Sequence, residues 1–233
     1  MGRIYLVRHG QASLLDDDYD RLSALGERQS QRVGQWLGAR APAPVLAASG
    51  RLRRQAQTLR ACIDGAGWTG VPLDEDTGFD EYSHQDLFAP AFPDLADPAA
   101  MAARLRASAE PRREFQQLFE HALTRWLAGD TRPEGGLTWE AFRRRCMASL
   151  ERVAAQCGSG ECVIVSTSGG VISALCQTLL GLPDSHVPRL HTPLFNASVT
   201  TLLARPGVIS LSTFNAVGHL ELEPAAESLL SYR

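Results

Sequence analysis

Apolar residues along this chain fall into short unbroken runs, separated by longer stretches in which they recur every three or four positions. Ile4-Tyr5-Leu6-Val7, Val45-Leu46-Ala47-Ala48 and Cys162-Val163-Ile164-Val165-Ser166 are such runs, and each reads as a strand. A helix follows each of them. The first begins after Leu22, where Ser23 can accept a hydrogen bond from the first turn and Val33, Trp36 and Leu37 share a face. The second runs through Thr58, Leu59, Cys62 and Ile63, and the third covers Val171 to Leu180 beyond the turn Ser168-Gly169-Gly170. Near the end, Ser198-Leu203 and Val208-Phe214 predict a hairpin turning at Arg205-Pro206-Gly207. Strands alternating with helices predict an α/β fold, a three-layer α/β/α sandwich around a mostly parallel central sheet.

The middle of the chain has a different texture. Residues Ala61 to Ala103 contain no arginine, carry a run of carboxylates from Asp74 to Asp86, and are then punctuated by prolines from Pro90 to Pro98. Asp97-Pro98 has the form of a helix start, a cap followed by proline at the first helical position. Beyond it Phe115, Leu118, Phe119, Ala122, Leu123, Trp126 and Leu127 make an apolar stripe that Gly129 should end. Thr138 caps a further helix in which Trp139, Phe142, Cys146, Leu150 and Val153 share a face. We read the region from Phe88 to Pro133 (88–133) as a helical cap inserted into one domain spanning residues 1–233, partly covering the crevice at the strand ends.

Composition narrows the function classes. A formal net charge of -3 over 233 residues gives no general attraction to nucleic acid or membranes. All 23 basic residues are arginine, which reads first as the codon bias of a GC-rich genome. Five cysteines, odd in number and without C-x-x-C spacing, predict neither a disulfide framework nor a zinc site. No metal and no other cofactor is expected. A reducing cytoplasm is the expected location, since the first strand begins at Ile4 and no apolar run approaches the roughly 18 residues a membrane helix requires.

The chemistry starts where the first strand ends. Arg8-His9-Gly10 follows the run Ile4 to Val7, at the carboxyl end of a strand, where open α/β sheets place their ligands. An arginine there can fork onto phosphate oxygens, a neutral imidazole nitrogen can attack phosphorus, and glycine admits close backbone approach. Past the second strand comes Ser49-Gly50-Arg51-Leu52-Arg53-Arg54-Gln55-Ala56-Gln57-Thr58. Ser49, Leu52, Arg54, Gln57 and Thr58 match, at the same spacing, the second motif of the histidine phosphatase superfamily, the phosphoglycerate mutase-like proteins, which this chain resembles. The resemblance implies a nucleophilic His9 and a phosphate clamp of Arg8 and Arg54.

It further implies a proton-donating glutamate in Phe79-Asp80-Glu81-Tyr82, which makes Glu81 the general acid and, later, the base for water. The family's glycine and tryptophan after that glutamate are absent; Tyr82-Ser83-His84-Gln85-Asp86 stands there, with Asp80 and His84 as substitutes. Where the family's strand ends Ser-His-Gly-Gly, this chain has Ser166-Thr167-Ser168-Gly169-Gly170, so Ser168 occupies the position of a second histidine. Serine offers a neutral hydroxyl in place of an imidazolium, beside the backbone of Gly169, and His84 is the histidine expected to fill the vacancy. Asn196-Ala197-Ser198-Val199-Thr200 and Phe214 to Leu220 resemble the family's closing strand and end motif, with His219 structural; His121, His186 and His191 carry no motif and are expected at the surface or in packing.

The resemblance implies a phosphomonoester hydrolase acting on a phosphorylated small molecule, with no nucleic-acid or membrane partner and an oligomeric state the residues do not disclose. A mutase is not expected, because Gln11-Ala12-Ser13-Leu14-Leu15-Asp16 lacks the residues the glycolytic mutases carry there. Two alternatives stand beside the phosphatase. One is a weak or silent phosphate-binding member of the same fold. The other is a serine hydrolase, since Ser168, Asp184 and His219 follow the chain order of an α/β-hydrolase triad.

Overall fold

The computed structural model describes residues 1–12, 20–222 and 229–232. Six strands form one sheet: β1 (Gly2–Arg8), β2 (Leu46–Ser49), β3 (Leu73–Glu75), β4 (Cys162–Thr167), β5 (Val199–Arg205) and β6 (Val208–Ala216), in the spatial order β3-β2-β4-β1-β5-β6. The pairs β3/β2, β2/β4 and β4/β1 are parallel, while β5 and β6 add an antiparallel edge.

Burial on both faces explains why the central strands read as continuous apolar runs. Successive side chains of a strand point to opposite faces, and here each set meets its own layer of helices. Ile4, Leu6, Leu46, Ala48, Val163 and Val165 pack on one side with α6 (Trp139–Ala154) and α7 (Gly169–Leu180). Tyr5, Val7, Ala47, Cys162 and Ile164 pack on the other with α1 (Ala24–Gly38) and α2 (Arg53–Ala66). The three-layer arrangement follows directly. Its helix starts are those the sequence marks: Ser23 Oγ accepts from Gly26 N, and Thr138 Oγ1 from Ala141 N, both at 3.1 Å.

Four further helices are present among the described residues: α3 (His84–Ala91), α4 (Pro98–Ala107), α5 (Pro111–Leu127) and α8 (Val187–His191). The helical segment between β3 and α6 opens at His84, four residues ahead of Phe88, because Ser83 Oγ accepts from Asp86 N at 3.2 Å and starts a turn there. Phe88, Phe115, Phe119 and Trp126 join the same apolar cluster as α6 and α7. The strand β3 was not foreseen; it lies in the carboxylate run and pairs with β2 through Ala47 and Leu73.

Strand order fixes where the crevice opens. β1 and β4 are parallel neighbours, yet the chain leaves β1 into α1 on one face and β4 into α7 on the other. Diverging connections leave a gap beyond the carboxyl ends of the two strands, the usual ligand position of such sheets. Arg8-His9 and Thr167-Ser168 form its rim. Among the described residues no helix is long and apolar enough to cross a membrane.

Candidate active site

The pleat of β1 carries through its end and separates the two basic residues. Arg8 continues the row of Ile4 and Leu6 toward α7, whereas His9 continues the row of Tyr5 and Val7 toward α2. They flank the gap from opposite faces, and both are buried.

His9 is held as one tautomer. Its backbone N–H donates to the Thr167 carbonyl at 2.8 Å and its own carbonyl accepts from Ala197 N at 3.2 Å. The ring Nδ1 lies 2.8 Å from the Gly10 carbonyl oxygen. A carbonyl only accepts, so Nδ1 carries the hydrogen and Nε2 keeps its lone pair. Arg54 Nε donates to that same Nε2 at 3.3 Å. Arg54 sits in the first turn of α2, and its Nη1 donates to Asp20 Oδ1 at 2.7 Å, while Asp20 Oδ2 accepts the Arg53 N–H at 2.8 Å. One carboxylate therefore both tops α2 and aims the arginine.

The rest of the second motif supports the loop that carries His9. Thr58 Oγ1 accepts the Gly10 N–H at 3.0 Å and Gln57 Oε1 accepts the Leu22 N–H at 2.9 Å. Gly10 itself touches α1, since a Cβ there would collide with the Gly26 carbonyl. Of the segment Gln11 to Asp16 that sets the chain apart from mutases, Ser13 to Asp16 lie outside the described residues.

On the opposite face, Arg8 donates to the Leu194 carbonyl. Its Nε lies 3.7 Å from the point where a Gly169 side chain would begin, beside His191 Nε2 at 3.2 Å from the same point. Glu81 reaches the start of α7 as well: its Oε2 accepts the Gly170 N–H at 2.7 Å and its Oε1 the Tyr82 N–H at 3.2 Å. The Gly170 N–H at the helix start is thus already taken by Glu81. Gly170 must be glycine, because a Cβ would collide with Glu81 Oε1 and Tyr82 Cε1.

Asp80 and Arg51 form the clamp beneath this carboxylate. The Arg51 backbone N–H and Nε donate to Asp80 Oδ1 and Oδ2 at 2.6 and 2.8 Å, and Arg145 Nη2 donates to the Asp80 carbonyl at 2.7 Å. Asp80 is therefore engaged in holding the Arg51 backbone and guanidinium. Ser168 Oγ accepts from Gln55 Nε2 at 2.8 Å, and the same amide reaches the Phe79 carbonyl at 3.1 Å. The ring of His84 lies among Tyr82, Phe115 and Phe119, with centroids 6.1, 6.5 and 5.4 Å away.

The serine-hydrolase constellation does not assemble. Asp184 lies beyond the far end of α7 from Ser168 and accepts from Gln177 Nε2 at 2.6 Å. His219 faces the Ala197 carbonyl at 2.9 Å and the Trp36 ring at 5.5 Å between centroids, in the α1 layer. Chain order alone suggested that triad, and a helix of twelve residues separates its serine from its acid. Among the described residues no three His, Cys, Asp or Glu side chains are grouped as a metal ion would need.

The model of the histidine phosphatase superfamily (branch 1) matches residues 4–217. The chain belongs to the histidine phosphatase superfamily. No curated protein matches the sequence. Among solved structures, a mycobacterial glucosyl-3-phosphoglycerate phosphatase is 25% identical with a TM-score of 0.61, over 93% of this chain and 99% of that one. A phosphoserine phosphatase from Entamoeba histolytica, solved with 3-phosphoglyceric acid, is 17% identical with a TM-score of 0.63, over 94% and 100%. A phosphoglycerate mutase from Bacillus anthracis is 16% identical with a TM-score of 0.61, over 94% of each chain. These last two share the histidine phosphatase fold with this chain.

Sequence reasoning missed three groups that the histidine phosphatase fold brings to the gap: Asp20, Gln55 and His191. Gln55 lay within a recognised motif and could have been read as its third helical residue, placed to turn back on the strand end. Asp20 and His191 carry no local signal, since one bonds across 34 residues and the other sits beside Gly169 through the fold alone.

Proposed function

We propose that the protein is a metal-independent phosphomonoester hydrolase working through a phosphohistidine on His9. Arg8 and Arg54, with the Ser168 hydroxyl and the Gly169 backbone, hold the phosphoryl group of a phosphorylated small molecule. His9 Nε2 attacks phosphorus in line as the ester oxygen leaves, and protonated Glu81 gives that oxygen its proton. Water then attacks the phosphohistidine, losing a proton to Glu81, and phosphate departs.

The observation that carries this reading is the pairing of Arg54 Nε with His9 Nε2 at 3.3 Å while Nδ1 is tied to the Gly10 carbonyl. An imidazole nitrogen with a lone pair beside a guanidinium suits a nucleophile that meets an anion. Family membership and the phosphatases among its solved neighbours support phosphoryl transfer in general. A cysteine nucleophile is not supported: burial pushes the Cys146 and Cys176 thiols up to about 12. The five buried free thiols suit a cytoplasmic setting. The helices between Phe88 and Pro133 act in this reading as a cap over the leaving group, and mutase activity is not part of it.

A second reading, a silent phosphate-binding protein, draws on one observation: Ser168 stands at the helix start with its oxygen accepting from Gln55. Hydrolysis of p-nitrophenyl phosphate with EDTA present separates the two. We expect modest turnover, abolished in His9→Ala, and labelled phosphate trapped on wild type only. Turnover unchanged by that substitution refutes the mechanism, and phosphate binding without turnover selects the silent member.

A further inference from the structure

We propose that His191 supplies the second imidazole of the phosphoryl site, donating from Nε2 to a phosphoryl oxygen in the space above Gly169 that it shares with Arg8. The inference rests on the phosphatase reading and assigns a residue that the motifs do not mark.

Three observations converge on His191. Its ring is buried and its Nε2 lies 3.2 Å from the point where a Gly169 side chain would begin, with Cδ2 at 3.5 Å and Arg8 Nε at 3.7 Å. An imidazole and a guanidinium thus border the same small volume, left open because position 169 carries no side chain. Below it begins α7, a helix of twelve residues whose amino end favours anions.

Its backbone is tied to Arg8 through one turn. The Leu194 N–H donates to the His191 carbonyl at 3.3 Å, and the Leu194 carbonyl accepts from the Arg8 guanidinium. A single four-residue segment therefore sets the positions of both groups. The far side of that segment is fixed by Asn215, whose Oδ1 accepts from Phe195 N at 3.0 Å and whose Nδ2 donates to the Pro193 carbonyl at 2.8 Å.

The ring plane is also constrained. Phe119 packs against it with centroids 5.1 Å apart, so the orientation of Nε2 is set by an apolar neighbour and not only by solvent. Ser168 offers this space only a short neutral hydroxyl, whose oxygen already accepts from Gln55. His84 lies on Phe119 too, at 5.4 Å, but within the aromatic cluster of Tyr82 and Phe115. Of the two histidines touching Phe119, only His191 adjoins Gly169 and Arg8. A donor here acts on the equatorial phosphoryl oxygens, where negative charge is concentrated during transfer.

His191→Phe tests the idea, because the ring keeps the packing against Phe119 and loses only the donor; His191→Ala and His84→Phe are made beside it. For each, kcat/KM for p-nitrophenyl phosphate, affinity for inorganic phosphate by titration calorimetry, and the thermal midpoint are measured. We expect His191→Phe to keep its thermal midpoint, lose about a hundredfold in kcat/KM, and bind phosphate more weakly. His191→Phe within about twofold of wild type in turnover and phosphate affinity overturns the proposal, as does a loss confined to His84→Phe. If wild type shows no turnover, the phosphatase reading fails by itself. Weakened phosphate binding in folded His191→Phe then still upholds His191 as a phosphoryl ligand, and unchanged binding rejects it.

Discussion

Thr58 Oγ1 accepts the backbone N–H of Gly10 at 3.0 Å, across 48 residues, and so ties the first turn-and-a-half of α2 to the loop that carries His9. The threonine completes the motif in sequence, and in the fold it holds the loop of His9 from below. Valine at 58 keeps the shape and removes the acceptor. Thr58→Val should leave the Gly10 N–H buried and unsatisfied, costing about 1–3 kcal/mol in urea unfolding. Turnover should fall as well, because the ring of His9 is tethered to Gly10. Wild-type stability and kcat in this variant would show that the contact is incidental.

Arg54→Lys keeps the charge and discards the fork. The guanidinium uses Nη1 for Asp20 and Nε for His9 at once, at 2.7 and 3.3 Å, and an ammonium cannot hold both directions from one carbon stem. Loss of one charge-assisted bond to phosphate is expected to lower kcat/KM by about tenfold to a hundredfold. The fold should be little affected, so the thermal midpoint serves as the control. A lysine variant with wild-type kcat/KM would remove Arg54 from the phosphate clamp.

The two glycines opening α7 should respond unequally to alanine. At position 170 a Cβ collides with Glu81 Oε1 and Tyr82 Cε1, whereas at 169 it meets His191 Nε2 at 3.2 Å, a shift of a few tenths of an ångström from ordinary contact. Gly170→Ala is expected to cost about 1–3 kcal/mol through overpacking and to displace the carboxylate from its N–H donors. Gly169→Ala should fold normally and lose mainly phosphate affinity, because the methyl group occupies the space between Arg8 and His191. Denaturation midpoints and phosphate titrations of both variants check the contrast.

The sheet was legible because its central strands are buried on both faces, which writes Ile4 to Val7 and Cys162 to Ser166 as unbroken apolar runs. Caps were legible too, at Ser23 and Thr138, since a side-chain acceptor before a helix acts within three residues. β3 was hidden. It is three residues long, two of them acidic, with Leu73 exposed, and only the neighbouring strand makes it a strand. The arginines and His9 could be found because their spacing is local to strand ends and helix starts. His191 could not, since its helix has five residues and its position beside Gly169 depends on the whole arrangement of α7 and α8.

His219 makes stability depend on pH in a stated direction. Burial in the α1 layer lowers its pKa from the ordinary 6.5 to about 4. Nε2 donates to the Ala197 carbonyl at 2.9 Å, and no described residue partners the buried Nδ1, so a second proton would have no acceptor. The folded protein therefore binds fewer protons than the unfolded chain between those two values. Its contribution is fully present above about pH 6.5 and is lost as the pH falls toward 4, an amount on the order of 3 kcal/mol. Ala197 adopts a positive φ of 55° and its own N–H holds the His9 carbonyl, so the acid-sensitive contact and the support of His9 meet on one residue. His219→Gln keeps an N–H donor and cannot titrate. Between pH 7 and 4 its unfolding free energy should decline less steeply than that of wild type, by about 3 kcal/mol in total. Urea unfolding followed through Trp36, whose ring lies 5.5 Å from that of His219, measures the difference, and parallel curves for the two proteins would place the acid sensitivity elsewhere.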